Sequence, residues 1–130
     1  MVTAKQVARY WTLDIAAPIP SANELMRGRS MRARRGRYKR VRDDMAWAVK
    51  VGAFETPAAK GKRCVRIVRI MGPRQREYDI DNLAHGSKPL VDELVAHGLL
   101  LDDSPRWAHI EYAQERGAEA GARVEIWEEQ

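Results

Sequence analysis

Five aspartates within 25 residues constrain this chain more than any other feature of its sequence: Asp79, Asp81, Asp92, Asp102 and Asp103. Asp79 and Asp81 are two residues apart, so both carboxylates would leave the same face of an extended chain. Asp102-Asp103 follows a short helical pattern, after which the chain can fold back toward that strand. Carboxylates that converge in this way repel one another unless a cation lies between them. Oxygen ligands of this kind suit Mg²⁺, with Mn²⁺ as a substitute.

The remainder of the chain has the opposite charge. The segment 77–103 holds seven acidic residues and one basic residue, whereas the whole chain carries a net charge of +5. Nine of the sixteen residues from Arg27 to Arg42 are basic and none is acidic: Arg27, Arg29, Arg32, Arg34, Arg35, Arg37, Lys39, Arg40 and Arg42. An acidic segment in a basic chain is the charge layout of a metal-dependent enzyme that acts on nucleic acid.

Length and composition predict a single domain over residues 1–130, with a basic loop at 21–42 and an acidic segment at 77–103. Cys64 is the only cysteine, which excludes an internal disulfide and a cysteine-rich zinc site. The N-terminal segment has no apolar signal core, and no apolar run approaches the ~20 residues of a membrane span. We therefore expect a cytoplasmic protein that does not act at a membrane.

The apolar pattern predicts an α+β fold. Strands are expected at 10–16, at 63–71 and, as a terminal hairpin, at 107–113 and 122–128. Helical spacing runs from Tyr38 to Gly52, after an arginine-bearing loop. A second helix is expected to begin at Ser87 as N-cap, with Pro89 in its first turn, and to end at Gly98.

The motif Asp79-x-Asp81-Asn82-Leu83, followed by Lys88-Pro-Leu-x-Asp92, Gly98 and Asp102-Asp103, resembles the signature of the RusA family of Holliday junction resolvases. Pro20-Ser21-x-Asn23 with Arg27 is similar to that family's segment after its first strand. The chain departs from the family pattern in one place. Its lysine, Lys88, comes six residues after the asparagine, because the three residues 85–87 are additional.

The resemblance implies a small mixed or antiparallel sheet packed by two main helices. It further implies a homodimeric, divalent-cation-dependent endonuclease that nicks four-way DNA junctions symmetrically, in a bacterial nucleoid or a phage-infected cell. The residues matched to the family's catalytic and metal-binding aspartates are Asp79, Asp81 and Asp103, and its catalytic lysine matches Lys88. Asn82 and Asp102 are candidates to support those aspartates. The residues expected to contact DNA phosphates are Arg27, Arg29, Arg32, Arg34, Arg35, Arg37, Lys39 and Arg40.

Other interpretations of the same residues remain open. Asp79 and Asp81 could form a solvated turn with Asn82. Asp92 is interpreted as a surface acid of its helix without a catalytic role. The four tryptophans are interpreted as core or dimer-interface residues. At the level of function, the alternatives are a metal nuclease acting on flaps or other branched DNA, and a non-enzymatic basic DNA-binding module.

Overall fold

The computed structural model describes residues 7–53 and 55–129, which form an α+β fold. In chain order, its strands and helices are β1 (Val7–Ile15), α1 (Ala22–Leu25), α2 (Met31–Gly52), β2 (Arg63–Met71), α3 (Ile80–Gly86), α4 (Lys88–Ala96), β3 (Ala108–Arg116) and β4 (Gly121–Glu129). The predicted strand at 63–71 is confirmed at both of its ends, and the first strand lies about where the alternation placed it. No helix in these two ranges is long and apolar enough to cross a membrane.

The four strands form one mixed sheet in the order β1-β4-β2-β3. β4 is antiparallel to both β1 and β2, whereas β2 and β3 are parallel. Parallel neighbours need a crossover connection. Here α3 and α4 provide it, so the acidic segment 77–103 lies in the crossover between β2 and β3.

The core lies between one face of the sheet and the helices α2 and α4. Val65 and Ile67 of β2 are fully buried there, together with Val49 of α2 and Leu90 and Leu94 of α4. The opposite face carries ion pairs between neighbouring strands: Arg66 contacts Glu111 of β3 and Glu125 of β4. One face therefore excludes water, while charged pairs cover part of the other.

β2 also carries two buried arginines, one near each end. The Arg63 guanidinium donates hydrogen bonds to the carbonyl oxygens of Pro57 (2.8 Å) and Leu99 (2.9 Å), and it forms an ion pair with Glu128. Arg69 donates to the carbonyl oxygen of Arg76 at 2.9 Å. Buried charges are tolerated in this way because each finds oxygen partners.

The predicted terminal hairpin is wrong. β3 and β4 are joined by four residues, a length typical of hairpins, but β2 lies between them in the sheet. The connection crosses the end of β2, where Gly117 N–H donates to the Met71 carbonyl oxygen (2.8 Å). Short glycine-containing connectors predict adjacent strands, but here the central position of β2 is decided by burial of its apolar residues on both faces.

The predicted basic loop at 21–42 is also wrong over most of its length. α2 begins at Met31, and the Ser30 hydroxyl caps it by accepting a hydrogen bond from Ala33 N–H (3.1 Å). Arginine has a good intrinsic helix propensity, and a serine N-cap supplies the start signal. The low apolar content of this segment therefore does not exclude a helix. Seven of the nine basic residues lie on α2.

α3 and α4 meet at Ser87 without a loop between them. The Ser87 hydroxyl donates to the Leu83 carbonyl oxygen (2.7 Å) and does not cap α4, contrary to its predicted role. Pro89 lies in the first turn of α4, and Gly98 follows its C-cap with a φ of 76°, as the sequence predicted. Gly86 lies so close to the chain at Pro20 that an added Cβ would overlap the Pro20 carbonyl oxygen.

We expect Gly86→Ala to destabilise the protein by about 1–3 kcal/mol, because a methyl group forced into this contact must displace α3 or the β1–α1 connection. Gly61→Ala is the matched control, since nothing lies within 4 Å of its added Cβ. Urea unfolding followed by circular dichroism measures both variants. Equal unfolding midpoints would show that the contact at Gly86 does not constrain the fold.

Candidate functional site

Side-chain hydrogen bonds fix the segment that leads into the aspartate motif. The Gln114 amide of β3 accepts from Tyr78 N–H and donates to the Tyr78 carbonyl oxygen, both at 2.9 Å. The Tyr78 hydroxyl donates to the Ile19 carbonyl oxygen (3.2 Å), and the Arg69 guanidinium lies 3.4 Å from the centre of the Tyr78 ring. Tyr78, the residue directly before Asp79, is therefore fixed by hydrogen bonds to β3 and to the connection between β1 and α1.

Asp79 is the N-cap of α3, and Asp81 lies in the first turn of that helix. The Asp79 carboxylate accepts a hydrogen bond from Asn82 N–H (2.8 Å), while Asn82 Oδ1 accepts from Ala22 N–H (3.0 Å). The expected extended chain is therefore wrong here. Residues two apart on a helix do not face each other, so the two carboxylates do not share a face in the way that a strand would impose. Both aspartates are exposed.

The other half of the motif forms a compact charged cluster around Lys88, the first residue of α4. The Lys88 ammonium contacts the Asp103 carboxylate and lies 3.0 Å from Asp92 Oδ1. The Tyr38 hydroxyl of α2 donates to the other oxygen of Asp92 at 2.9 Å. We name Tyr38, Lys88, Asp92 and Asp103 the Lys88 cluster; it joins α2, α4 and the loop that precedes β3.

The pKa values of Lys88, Asp103 and Tyr38 are shifted in the directions that their neighbours impose. The hydrogen bonds that the Lys88 ammonium donates to Asp103 and then to Asp92 raise the pKa of Lys88. The same Lys88 hydrogen bond lowers the pKa of Asp103. Burial, followed by the hydrogen bond to Asp92, raises the pKa of Tyr38. At neutral pH the lysine is therefore a fixed cation, and it cannot serve as a base.

The oxygen chemistry of the motif suits Mg²⁺, but the placement of the side chains does not. Across residues 7–53 and 55–129, no group of three or more His, Cys, Asp or Glu side chains is placed to hold a metal ion. Asp103 is engaged by the Lys88 ammonium, and Asp79 caps α3. As arranged, the predicted ligands Asp79, Asp81 and Asp103 do not form a metal centre.

A basic groove runs beside the Lys88 cluster. Arg35, Lys39 and Arg42 of α2 line it together with Tyr38, and two acidic residues, Asp43 of α2 and Glu93 of α4, complete the lining. Arg42 forms an ion pair with the buried Glu93 (2.8 Å). Lys39 pairs with Asp43 (2.8 Å), but both side chains are exposed, so this pair is weak and a phosphate can take the place of Asp43. Arg35 is exposed and lies on the same side of the helix.

The other predicted DNA contacts are spread around α2 and the residues before it. Arg27, Arg29, Arg32 and Arg40 are exposed, whereas Arg34 and Arg37 are partly buried. Arg34 Nε donates to the Gly28 carbonyl oxygen (3.1 Å). The structure thus places Arg35 and Lys39 beside the Lys88 cluster, whereas the other predicted DNA contacts lie outside the groove.

Sequence reasoning missed two members of the Lys88 cluster. Asp92, interpreted as a surface acid, is partly buried and contacts both Lys88 and Tyr38. The four-residue spacing of Lys88 and Asp92 on one helix was the signal that could have found this pair. No such signal existed for Tyr38, which is 54 residues from Asp92 along the chain. Asp102, the second predicted supporting residue, is exposed beside Asp103.

The Lys88–Asp103 pair predicts a specific pH dependence. In Lys88→Met, the pKa of Asp103 should rise toward its ordinary value of 3.8, because the neighbouring cation is lost. Since folding lowers this pKa, the pair stabilises the protein above the unfolded-state pKa, and the stabilisation is lost as pH falls through the folded-state pKa. Carboxyl ¹³C NMR titration measures the shift, with Lys39→Met as control. An unchanged Asp103 titration in Lys88→Met would contradict the pairing.

No protein-family model matches this chain, and no curated protein is similar to it at a significant level.

Proposed function

We propose that this protein is a structure-selective endodeoxyribonuclease that binds branched DNA, four-way junctions in particular, and cuts it by paired symmetric nicks. The observation that carries the proposal is the hydrogen bond from Tyr38 to Asp92. It joins the most basic helix of the chain to the cluster containing Asp103 and Lys88, two of the residues that match the RusA motif. Groups that could bind phosphate and groups that could act on it are thus adjacent.

The basic groove would hold the DNA backbone. Contacts to phosphate do not distinguish one base from another. Recognition through this surface would therefore depend on the shape of the DNA and not on its sequence. Lys88 is oriented by two carboxylates and remains charged at neutral pH. A fixed ammonium in this position would stabilise negative charge that develops on a phosphate during hydrolysis.

Dependence on Mg²⁺ or Mn²⁺ belongs to the proposal because of the motif resemblance, and the side-chain geometry gives it no support. A bound divalent cation would supply an activated water and would stabilise charge on the phosphate. The residues that would hold it are those of the motif: Asp79, Asp81 and Asp103.

A second candidate, a DNA-binding module without nuclease activity, is favoured by one observation. Asp103 is neutralised by Lys88, so the acidic motif is already stabilised without a metal ion. In that case the Lys88 cluster would serve to fix α4 against α2 and β3. DNA binding would be unaffected by Mg²⁺, and no cleavage would occur.

Paired nicks at a junction need two active sites related by a twofold axis, so the proposal includes a C2 homodimer. Trp127 is buried in the monomer, whereas the Trp47 side chain on α2 is 68% exposed, with Val51 also exposed one turn away. Of the tryptophans, Trp47 is therefore the one that we propose for the dimer interface.

We expect Asp79→Asn, Asp81→Asn and Asp103→Asn each to abolish cleavage of a four-way junction while DNA binding persists, because each removes a carboxylate but no basic residue. Asp14→Asn, an exposed aspartate on β1, is the control and should retain wild-type cleavage. The assay compares junction, flap and linear duplex with Mg²⁺ and with EDTA. On a supercoiled plasmid that extrudes a cruciform, paired nicking gives linear product directly.

Each outcome of this assay separates the candidates. Wild-type binding without cleavage under all conditions would support the DNA-binding module. Faster cleavage of flaps than of junctions would show that flaps, and not four-way junctions, are the substrate. Nicked circles as the main product would contradict paired nicking by a dimer and would indicate independent single cuts. Wild-type turnover by any one aspartate variant would remove that residue from the site.

The groove makes a separate prediction. Removing two groove cations in Arg35→Ala/Lys39→Ala should reduce the log–log salt slope of junction binding by roughly 1.8, since each phosphate contact on duplex DNA contributes about 0.9. Arg32→Ala/Arg40→Ala removes the same charge from exposed positions that do not line the groove and should change the slope less. Equal slopes for the two double variants would show that the groove is not the main DNA contact.

A further inference from the structure

A cavity of about 210 Å³ lies between α2 and the connection from β1 to α1, with Tyr78 at its edge. Its apolar lining includes Ala17, Ile19 and Met45, all of them buried. Val41 of α2 adds to this surface. The cavity is separate from the basic groove, because the two are lined by different faces of α2.

Arg37 lines this cavity, and one donor of its guanidinium group is unsatisfied. Its Nε is buried and has no hydrogen-bond partner among the described residues. An unpaired donor on a charged group is costly to bury, and native proteins rarely leave one without a reason. The space beside it holds considerably more than one water molecule, whose share of liquid volume is about 30 Å³. A ligand with an acceptor atom would bind the Arg37 guanidinium from the cavity, and a rotation of the side chain would bring the buried Nε within its reach.

The remaining polar residues of the lining define what else that ligand must carry. Glu24 and Asp44 supply carboxylate acceptors, and Gln75 supplies an amide. Arg37 and Asp44 are seven residues apart on α2, so they lie on the same side of the helix. A ligand that satisfies both needs an acceptor and an N–H donor, on a body flat and apolar enough for the buried lining.

We propose that this cavity binds one unstacked nucleobase of the DNA. A base carries acceptors and N–H donors along its edge, and its rings suit the apolar lining. The cavity is smaller than the 300–1,000 Å³ typical of sites for drug-sized ligands, which fits a single base and not a whole nucleotide. Tyr78 lines the cavity and directly precedes Asp79, so the base would lie close to the motif. This inference rests on the proposed DNA substrate.

Arg37 therefore has a role different from that of the other arginines of α2. It would read or hold a base, whereas Arg35 would contact phosphate. The difference can be measured, because a base contact depends on whether the base is present and a phosphate contact does not.

The experiment uses four-way junctions in which an abasic site replaces one nucleotide at a time along each strand near the branch point. For the wild-type chain, one position should show binding weakened by about tenfold when its base is removed. In Arg37→Met, binding should be weaker and the same abasic position should have no further effect. Arg35→Met, the matched control, should weaken binding to all junctions and retain the abasic effect.

Folding is checked independently by thermal unfolding. Arg37→Met removes an unsatisfied buried donor, so its stability should equal or exceed that of the wild type. Asp44→Asn, at an exposed position, is a second variant and should change which base is preferred at the sensitive position. An Arg37→Met variant that retains the abasic effect, or a wild type indifferent to every abasic site, would overturn the inference. A wild type that does not bind branched DNA would overturn the proposed function as well, which is a distinguishable result.

Discussion

Two buried guanidinium groups on β2 hold the two ends of the acidic segment. Arg69 bonds to the Arg76 carbonyl oxygen and lies over the Tyr78 ring just before the motif. Arg63 bonds to the Leu99 carbonyl oxygen just before Asp102-Asp103. Removing one partner from a buried charged contact typically costs 3–5 kcal/mol, so the position of this segment depends on the central strand. The pairing of β2 on both sides, in turn, fixes both arginines.

Helix α2 contributes residues to three surfaces: the core, the basic groove and the cavity. Ala48 and Val49 face the core, Arg35 and Lys39 line the groove, and Arg37 lines the cavity. A helix advances 100° per residue, so a dense run of arginines is necessarily distributed around its axis. A loop carrying the same residues would impose no such division. This is why the helical state of residues 31–42 changes the functional interpretation of each arginine.

Repulsion between carboxylates led to the expectation of a divalent cation among Asp79, Asp81 and Asp103, which stays a prediction. A different pair of carboxylates is compensated by the chain itself. Asp92 and Asp103 do approach each other, and a positive group lies between them. That group is the Lys88 ammonium, which the chain supplies from the first turn of α4. Residues 85–87 connect the first turns of α3 to Lys88, and Gly86 lets α3 end against Pro20. Lys88 thus reaches Asp103, while Asp79 and Asp81 remain exposed on α3.

The sequence by itself determined the α+β class, the strand at 63–71, the ends of α4 and the separation of acidic from basic segments. These follow from local periodicity, capping residues and charge, which act over a few positions. Only the tertiary structure decided that β4 pairs with β1 and β2 instead of β3, and that Tyr38 contacts Asp92. Both depend on burying β2 on two faces and packing α2 against α4. Such long-range contacts leave no local pattern, so the Lys88 cluster could be predicted only in part.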